Sequence, residues 1–365
     1  MRVMILANND VGLYQFRKEL IQELLKENEV ILSLPYGDMI EPLKALGCRF
    51  IDTPIDRRGI NPKTDLKLLA HYRRILSQEK PDLAITYTIK PNIYGGLACS
   101  RLKIPYAVNI TGLGTAFERG GKLKQLVTAM YKAACRNAKV VFFENEENRQ
   151  VFLREGIVRE NRTHRLNGAG VNLEHYRVTE YPQGDRIRFL FMGRVMAEKG
   201  IDELFTAMRK LLADGISCEL DVLGGYEEDY KAKIAECEAE GWLHYHGYQK
   251  DVRPFIEACH CFVLPSWHEG MANTNLESAA SGRPVITSRI PGCMEAVIDG
   301  ETGFLAERKN ADELYRAMKN FVRLSPEERK AMGLAGRRHM EAVFDKKKVV
   351  EETLQCLHIG SILAD

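Results

Sequence analysis

No stretch of this 365-residue chain approaches the roughly eighteen consecutive apolar residues that a membrane-spanning helix needs. The opening Met1-Arg2-Val3-Met4-Ile5-Leu6-Ala7 is too short for a secretory leader and soon meets Asp10. It is expected to be the first strand of a chain that stays in the cytoplasm. Nine cysteines are present, an odd number with no Cys-x-x-Cys pair, which points to reduced, buried thiols. No Asp-x-Asp occurs, so a metal-held diphosphate has no obvious ligand pair. The Gly-x-Gly-x-x-Gly dinucleotide fingerprint is missing as well. The basic residues form no zinc-finger, homeodomain or RNA-recognition pattern, and nucleic acid is not an expected partner.

What remains is an ordinary globular composition, 45% hydrophobic and 28% charged. The length exceeds one typical core and suits two domains. Strand and helix patterns alternate: strand 2–7, helix 14–26, strand 29–33, helix 39–46, strand 49–53, helix 65–78, strand 82–87 and helix 92–101. Strands near 105–110 and 139–143 follow, with a helix at 122–136 between them. Such repetition implies α/β architecture with doubly wound parallel sheets. Tyr181-Pro182-Gln183-Gly184-Asp185 reads as a linker by its Pro and Gly content. The expected domains are therefore 1–182 and 183–345, followed by a helical tail at 346–365.

Two loops carry the chemistry. Arg186 to Met192 is a short apolar run ended by Gly193, and apolar spacing at 201, 204, 205, 208, 211 and 212 starts a helix soon after. Arg194 and Lys199 therefore lie at the carboxyl end of a strand, beside a helix start, where open α/β sheets bind ligands. A guanidinium fork and an ammonium point charge there suit a diphosphate. A solvated surface loop is the plainer alternative. Downstream, the strand Cys261–Leu264 leads into Pro265-Ser266-Trp267-His268-Glu269-Gly270 and then a helix near Asn273. Glu269 falls on the loop and Glu277 in the helix. Thr274-Asn275-Leu276-Glu277 also fits a capping box, which would give Glu277 a purely structural role. His244 and His246 alternate on one strand with His260 and His268 nearby, and packing or hydrogen bonding is their expected state.

In order and spacing these pieces resemble the retaining family-4 glycosyltransferases. Gly168-Ala169-Gly170-Val171-Asn172, Val222-Leu223-Gly224-Gly225, His246-Gly247-Tyr248-Gln249-Lys250-Asp251, Gly282-Arg283-Pro284, Gly292-Cys293-Met294-Glu295 and Gly300-Glu301-Thr302-Gly303 follow in family order. The resemblance implies the GT-B fold, two Rossmann-like domains facing a central cleft, with the tail packing back on the first. It implies that Arg194 and Lys199 bind the donor diphosphate, replacing a metal ion, and that Glu269 holds donor-sugar hydroxyls. Glu277 would accept from ribose hydroxyls, and the helix at Asn273 would aim its leading N–H groups at the donor. Gly193, Gly224, Gly247, Tyr248, Gly270, Met271, Ala272 and Thr274 complete the implied donor site. Charge developing on a leaving phosphate is stabilised by such preorganised donors.

The N-terminal half is less explicit. Gly12 follows the first strand, while Lys90, Asn92 and Thr111 end two others, and these are the expected acceptor- or phosphate-side residues. Many family members carry a histidine where Thr111 stands, so the obvious side-chain base is missing. Residues 1–182 hold 28 Lys and Arg against 20 Asp and Glu, and residues 183–365 hold 24 against 30. A basic first half suggests an anionic partner. Arg57-Arg58-Gly59-Ile60-Asn61-Pro62-Lys63 with the helix after it, and Lys122 to Lys139, are candidate membrane-surface elements, though a helix with a solvated basic face is the simpler reading. The resemblance implies a UDP-sugar donor, a hexose or N-acetylhexosamine, an undecaprenyl-diphosphate-linked saccharide acceptor, and peripheral association with the inner membrane face. No cofactor or metal is expected. A sugar-nucleotide epimerase or hydrolase of the same fold, and a catalytically silent sugar-nucleotide-binding partner protein, are the competing readings.

Overall fold

The computed structural model describes residues 1–56, 61–114, 117 and 121–359. By its contacts the chain forms two compact units: Met1–Ala169 together with the chain from Lys347 onward, and Gly170–Lys346. The first is built on seven strands: β1 (Arg2–Leu6), β2 (Glu29–Leu34), β3 (Arg49–Asp52), β4 (Leu83–Tyr87), β5 (Tyr106–Ile110), β6 (Val140–Phe143) and β7 (Thr163–Arg165). They pair in parallel in the order β3-β2-β1-β4-β5-β6-β7. The second has β8 (Ile187–Met192), β9 (Cys218–Leu223), β10 (Leu243–Gly247), β11 (Cys261–Leu264), β12 (Val285–Ser288) and β13 (Gly303–Ala306), parallel in the order β10-β9-β8-β11-β12-β13.

The central strands β1, β8 and β11 read as nearly unbroken apolar runs because helices cover both faces. Val3 and Ile5 of β1 enter one core with Leu13, Ile21 and Leu24 of helix Asp10–Leu25. Met4 and Leu6 enter the opposite core with Tyr72 and Leu76 of helix Pro62–Glu79 and Tyr131 of helix Gly121–Cys135. The two-residue period of a strand divides them. Val349, Val350 and Leu357 of helix Lys346–Leu357 lie in the first of these cores. The apolar positions 201, 204, 205, 208 and 211 are likewise all buried along helix Ile201–Ala213.

Strand order reverses once in each sheet. The first chain half winds outward from β1 and resumes at β4, and the second winds outward from β8 and resumes at β11. Loops at the carboxyl ends of those central strands diverge and leave room for a ligand.

Three details depart from the sequence reading. Helix Asp10–Leu25 begins four residues earlier than its apolar pattern, because Asn9 caps it by accepting from the Gly12 amide at 2.6 Å. Pro91–Gly95 forms a π-turn ahead of helix Gly96–Leu102, where one continuous helix was expected. The division between units falls at 169/170 and not at 182/183, since the Pro- and Gly-containing stretch is already anchored. The Tyr181 hydroxyl donates to the His260 carbonyl at 2.7 Å. The fully buried Arg283 guanidinium donates to the carbonyls of Glu180, Ile256 and Glu257 at 2.9 Å each and to Thr179 Oγ1 at 2.7 Å.

Arg283→Met should strand those buried acceptors and lower the unfolding free energy by about 3 kcal/mol. Urea denaturation checks this, and a loss below about 1 kcal/mol would contradict the clamp.

Candidate functional site

In the second unit, the loops leaving β8 and β11 are stitched together at the point of strand reversal. The Gly193 amide donates to the Leu223 carbonyl and that of Val195 to Gly225, both at 2.9 Å, so the β8 loop stays paired with the β9 loop. At Gly224, with φ +134°, a Cβ would stand 1.8 Å from the Gly193 carbonyl oxygen, so only glycine admits this approach. The turn Ala197–Lys199 then ends at Gly200, with φ +72°, where a Cβ would lie 2.1 Å from the Pro265 oxygen. Across the seam the Trp267 amide donates to the Glu198 carbonyl at 2.9 Å.

That closure brings Lys199 against Glu269. The ammonium donates to Glu269 Oε1, and the fully buried Ser266 hydroxyl donates to the same oxygen at 2.7 Å. The two charged side chains are 17% and 13% exposed. Arg194 differs: it is 56% exposed and reaches Glu227 only at 3.5 Å. One cation is lodged and oriented, while the other is weakly held and free to fold over an anion. Gly224 donates to the Gly247 carbonyl at 2.8 Å, and Tyr248 beside it is exposed, so the β9 and β10 turns flank the same strand ends. His246 Nε2 lies 2.7 Å from Asp221 Oδ1, and His244 and His268 meet Glu219 and Glu198. Among the described residues no cluster of three His, Cys, Asp or Glu side chains is placed to hold a metal ion.

Glu277 lies on helix Asn273–Ala280, whose cap residue Ala272 makes no side-chain capping bond. The capping box does not form, because Glu277 is the fifth helical residue and cannot reach back. The Tyr176 hydroxyl stands near enough for each group to act on the other's ionisation. Burial raises the carboxyl from 4.5 to about 7, against the opposing pull of Tyr176 and Lys346, although part of its surface stays open. The leading amides of this helix are less available than expected: those of Ala272, Asn273 and Asn275 donate to the carbonyls of Gly292, Met271 and Ala272. Met271 and Ala272 bury their side chains, and Gly270 and Thr274 flank them. Asn273 Oδ1 is enclosed with no partner among the described residues, which a ligand hydroxyl would satisfy.

Comparison with known proteins bears on what this arrangement serves. Residues 174–339 match the family described as glycosyl transferases group 1, and residues 2–145 match glycosyl transferase 4-like. Over 333 residues the chain is 27% identical to the N,N'-diacetylbacillosaminyl-diphospho-undecaprenol alpha-1,3-N-acetylgalactosaminyltransferase of Campylobacter jejuni, covering 86% of this chain and 87% of that one. It is also 27% identical to the UDP-Gal:alpha-D-GlcNAc-diphosphoundecaprenol alpha-1,3-galactosyltransferase of Escherichia coli, covering 72% and 71%. The crystal structure of Anabaena HepE in complex with UDP and glucose superposes with a TM-score of 0.82 at 16% identity, covering 98% and 99%. The chain is a GT-B-fold glycosyltransferase. Its relatives also include the capsular polysaccharide biosynthesis glycosyltransferase CapM of Staphylococcus aureus, 24% identical over 315 residues.

In the first unit of this transferase the expected residues do not form one cluster of free groups. Gly12 lies in the first turn of its helix with its amide bonded to Asn9. Lys90 pairs with Asp65 at 2.7 Å, and Tyr94 donates to the same carboxylate at 2.9 Å. Asn92 is 1% exposed, accepts from Thr86 at 2.7 Å and donates to the Asn109 carbonyl at 2.8 Å. Asn92 therefore joins β4 to β5, and no ligand contact is left to it. Thr111 is half-exposed just past β5. Thr88, a β-branched residue at φ +72°, ends β4 in a strained conformation of the kind that gathers at functional sites.

Sequence reasoning missed Ser266 and Tyr176. Ser266 looked like a strand terminator, although its place three residues before Glu269 was a usable signal. Tyr176 lies a hundred positions before Glu277, and no local pattern could pair them.

Because folded Glu277 holds its proton more tightly than the unfolded chain does, its contribution to stability is most favourable below pH 4.5 and declines as pH rises to about 7. The unliganded transferase with Glu277→Gln should therefore gain on wild type across that window, by on the order of 1–2 kcal/mol above pH 7. Urea melts at pH 4.5 and 8 check it, and an equal difference at both would contradict the buried carboxyl.

Proposed function

We propose that this glycosyltransferase moves a hexose or N-acetylhexosamine from a UDP-sugar to a saccharide carried on undecaprenyl diphosphate, with retention of configuration. The observation that carries this reading is the Lys199–Glu269–Ser266 contact at the strand reversal of the second unit, with Arg194 beside it. Breaking a glycosyl phosphate bond builds negative charge on the leaving oxygens. An ammonium fixed in place stabilises that charge without reorganising, and a guanidinium adds a two-pronged contact. Lys199 would exchange part of its bond to Glu269 for the diphosphate. Ser266 would then keep the carboxylate directed at the sugar hydroxyls. A carboxylate gripped by two donors is a poor nucleophile, which supports a positioning role for Glu269. The two cations would replace a divalent metal, so no cofactor is required. Glu277 would accept from the ribose hydroxyls.

A lipid-linked acceptor is supported by what the two transferases named above carry in their names. The surface of the first unit agrees with it. Helices Pro62–Glu79 and Gly121–Cys135 pack on one face of the sheet. Their outer sides expose Lys63, Lys67, Arg73, Arg74, Lys122 and Lys132 around Leu66 and Leu126, both more than half exposed. Basic residues around exposed leucines suit the anionic inner leaflet, and the transferase would sit there peripherally in the cytoplasm. Arg57, Arg58, Gly59 and Ile60 lie outside the described residues. No helix among those described is long and apolar enough to cross a membrane.

Incubating the protein with radiolabelled UDP-sugars and undecaprenyl-diphosphate-linked saccharides should move label into lipid. Lys199→Ala and Arg194→Ala should each lower kcat/KM by roughly 10- to 150-fold, the worth of one charge-assisted bond. Free UDP with released or altered sugar and no labelled lipid would overturn the proposal in favour of a hydrolase or epimerase. UDP-sugar binding without turnover would overturn it in favour of a silent binding partner.

A further inference from the structure

Two residues separate Ser266 from Glu269, and the first of them, Trp267, is held from four directions. Its amide donates to the Glu198 carbonyl at 2.9 Å. Its indole Nε1 donates to Glu203 Oε1 at 3.2 Å. Its carbonyl accepts from Arg308 Nη1 at 3.4 Å, and the Lys309 ammonium stands over the ring, 4.1 Å from its centre. Lys309 adopts φ +59°, a left-handed conformation that an L side chain enters only at a cost. The next residue, Asn310, caps helix Ala311–Arg323 by accepting from the Glu313 amide at 3.1 Å.

The partners of Trp267 flank one residue. Glu198 directly precedes Lys199, and Glu203 follows it by four, in the first turn of helix Ile201–Ala213. A single backbone bond lets one loop pivot about the other. A second bond, made on the far side of the lysine, removes that freedom. Glu203 Oε2 is enclosed with no partner among the described residues, which leaves the indole N–H as the donor that satisfies this carboxylate.

We propose that Trp267 is a positioning residue of the donor site: by spanning Glu198 and Glu203 it sets where the Lys199 ammonium stands, and so its grip on the diphosphate. This rests on the reading of Lys199 as a diphosphate cation. Charge-assisted bonds weaken as distance and angle leave the optimum, so a small displacement of the ammonium is felt at the phosphates and not at the nucleoside.

The test is calorimetric titration of the whole protein with UDP and with uridine, for wild type, Trp267→Phe, Lys199→Ala and the double variant. Circular dichroism melts check folding. Phenylalanine keeps an aromatic ring beneath Lys309 and removes the indole N–H. Trp267→Phe should bind UDP about 3- to 10-fold more weakly, the worth of one hydrogen bond, and uridine as wild type does. In the Lys199→Ala background the same substitution should change UDP affinity by less than about twofold, because it acts through the lysine. Glu203→Ala breaks the bond from its other end and should reproduce this pattern, which keeps the test intact if Trp267→Phe melts early. A Trp267→Phe protein that binds UDP as wild type does, that loses UDP and uridine alike, or that loses UDP by the same factor with and without Lys199, overturns the proposal. Lys199→Ala binding UDP as wild type does would instead remove the diphosphate reading on which it rests.

Discussion

An ammonium and a carboxylate in contact at the carboxyl edge of the second sheet set the terms for everything around them. Lys199 and Glu269 are too enclosed to be screened as surface charges are, yet each keeps some surface on which a ligand can act. Left alone, such a pair is closer to a liability than to a source of stability, because desolvation offsets much of the attraction. Under the proposed function the pair is stored polarity, a cation held ready for an anion and a carboxylate held by Ser266 whether or not the cation is shared.

The fold supplies that contact through backbone more than through side chains. Reversal of strand order between β8 and β11 leaves two loops side by side. Gly200 lets the first loop touch the Pro265 carbonyl, and Gly224 lets the neighbouring turn touch Gly193. Side chains reinforce the site from a distance: Arg283 fixes the incoming chain, and Arg337 fixes the turn before it to the helix bearing Glu277. Positions away from the Lys199–Glu269 pair therefore decide where the segments around it stand.

The legible parts of this architecture were those with local period. Strand Cys261–Leu264 and helix Ile201–Ala213 could be read because buried strands are continuous apolar runs and helices repeat at three and four. Arg194, Lys199 and Glu269 could be placed in loops at the carboxyl ends of β8 and β11 because each loop follows a short apolar run ended by Gly or Pro. What escaped was non-local. The Asn9 cap preceded the apolar pattern, and the apparent linker at Tyr181–Asp185 was pinned by an arginine a hundred residues on. Asn92 carried the same local signal as a ligand contact, but it served to cross-link two strands. The capping-box spelling at Thr274–Glu277 was correct as a pattern, but the helix began at Asn273, which put Glu277 out of reach of the cap.

The central claim is that Lys199 grips the diphosphate and not merely its neighbour Glu269. Isothermal titration of wild type and Lys199→Ala with UDP, UMP and uridine tests this most directly. The account predicts that wild type prefers UDP over uridine by a wide margin, that Lys199→Ala loses most of that margin, and that uridine binds both proteins equally. An undiminished preference for UDP in Lys199→Ala would contradict it.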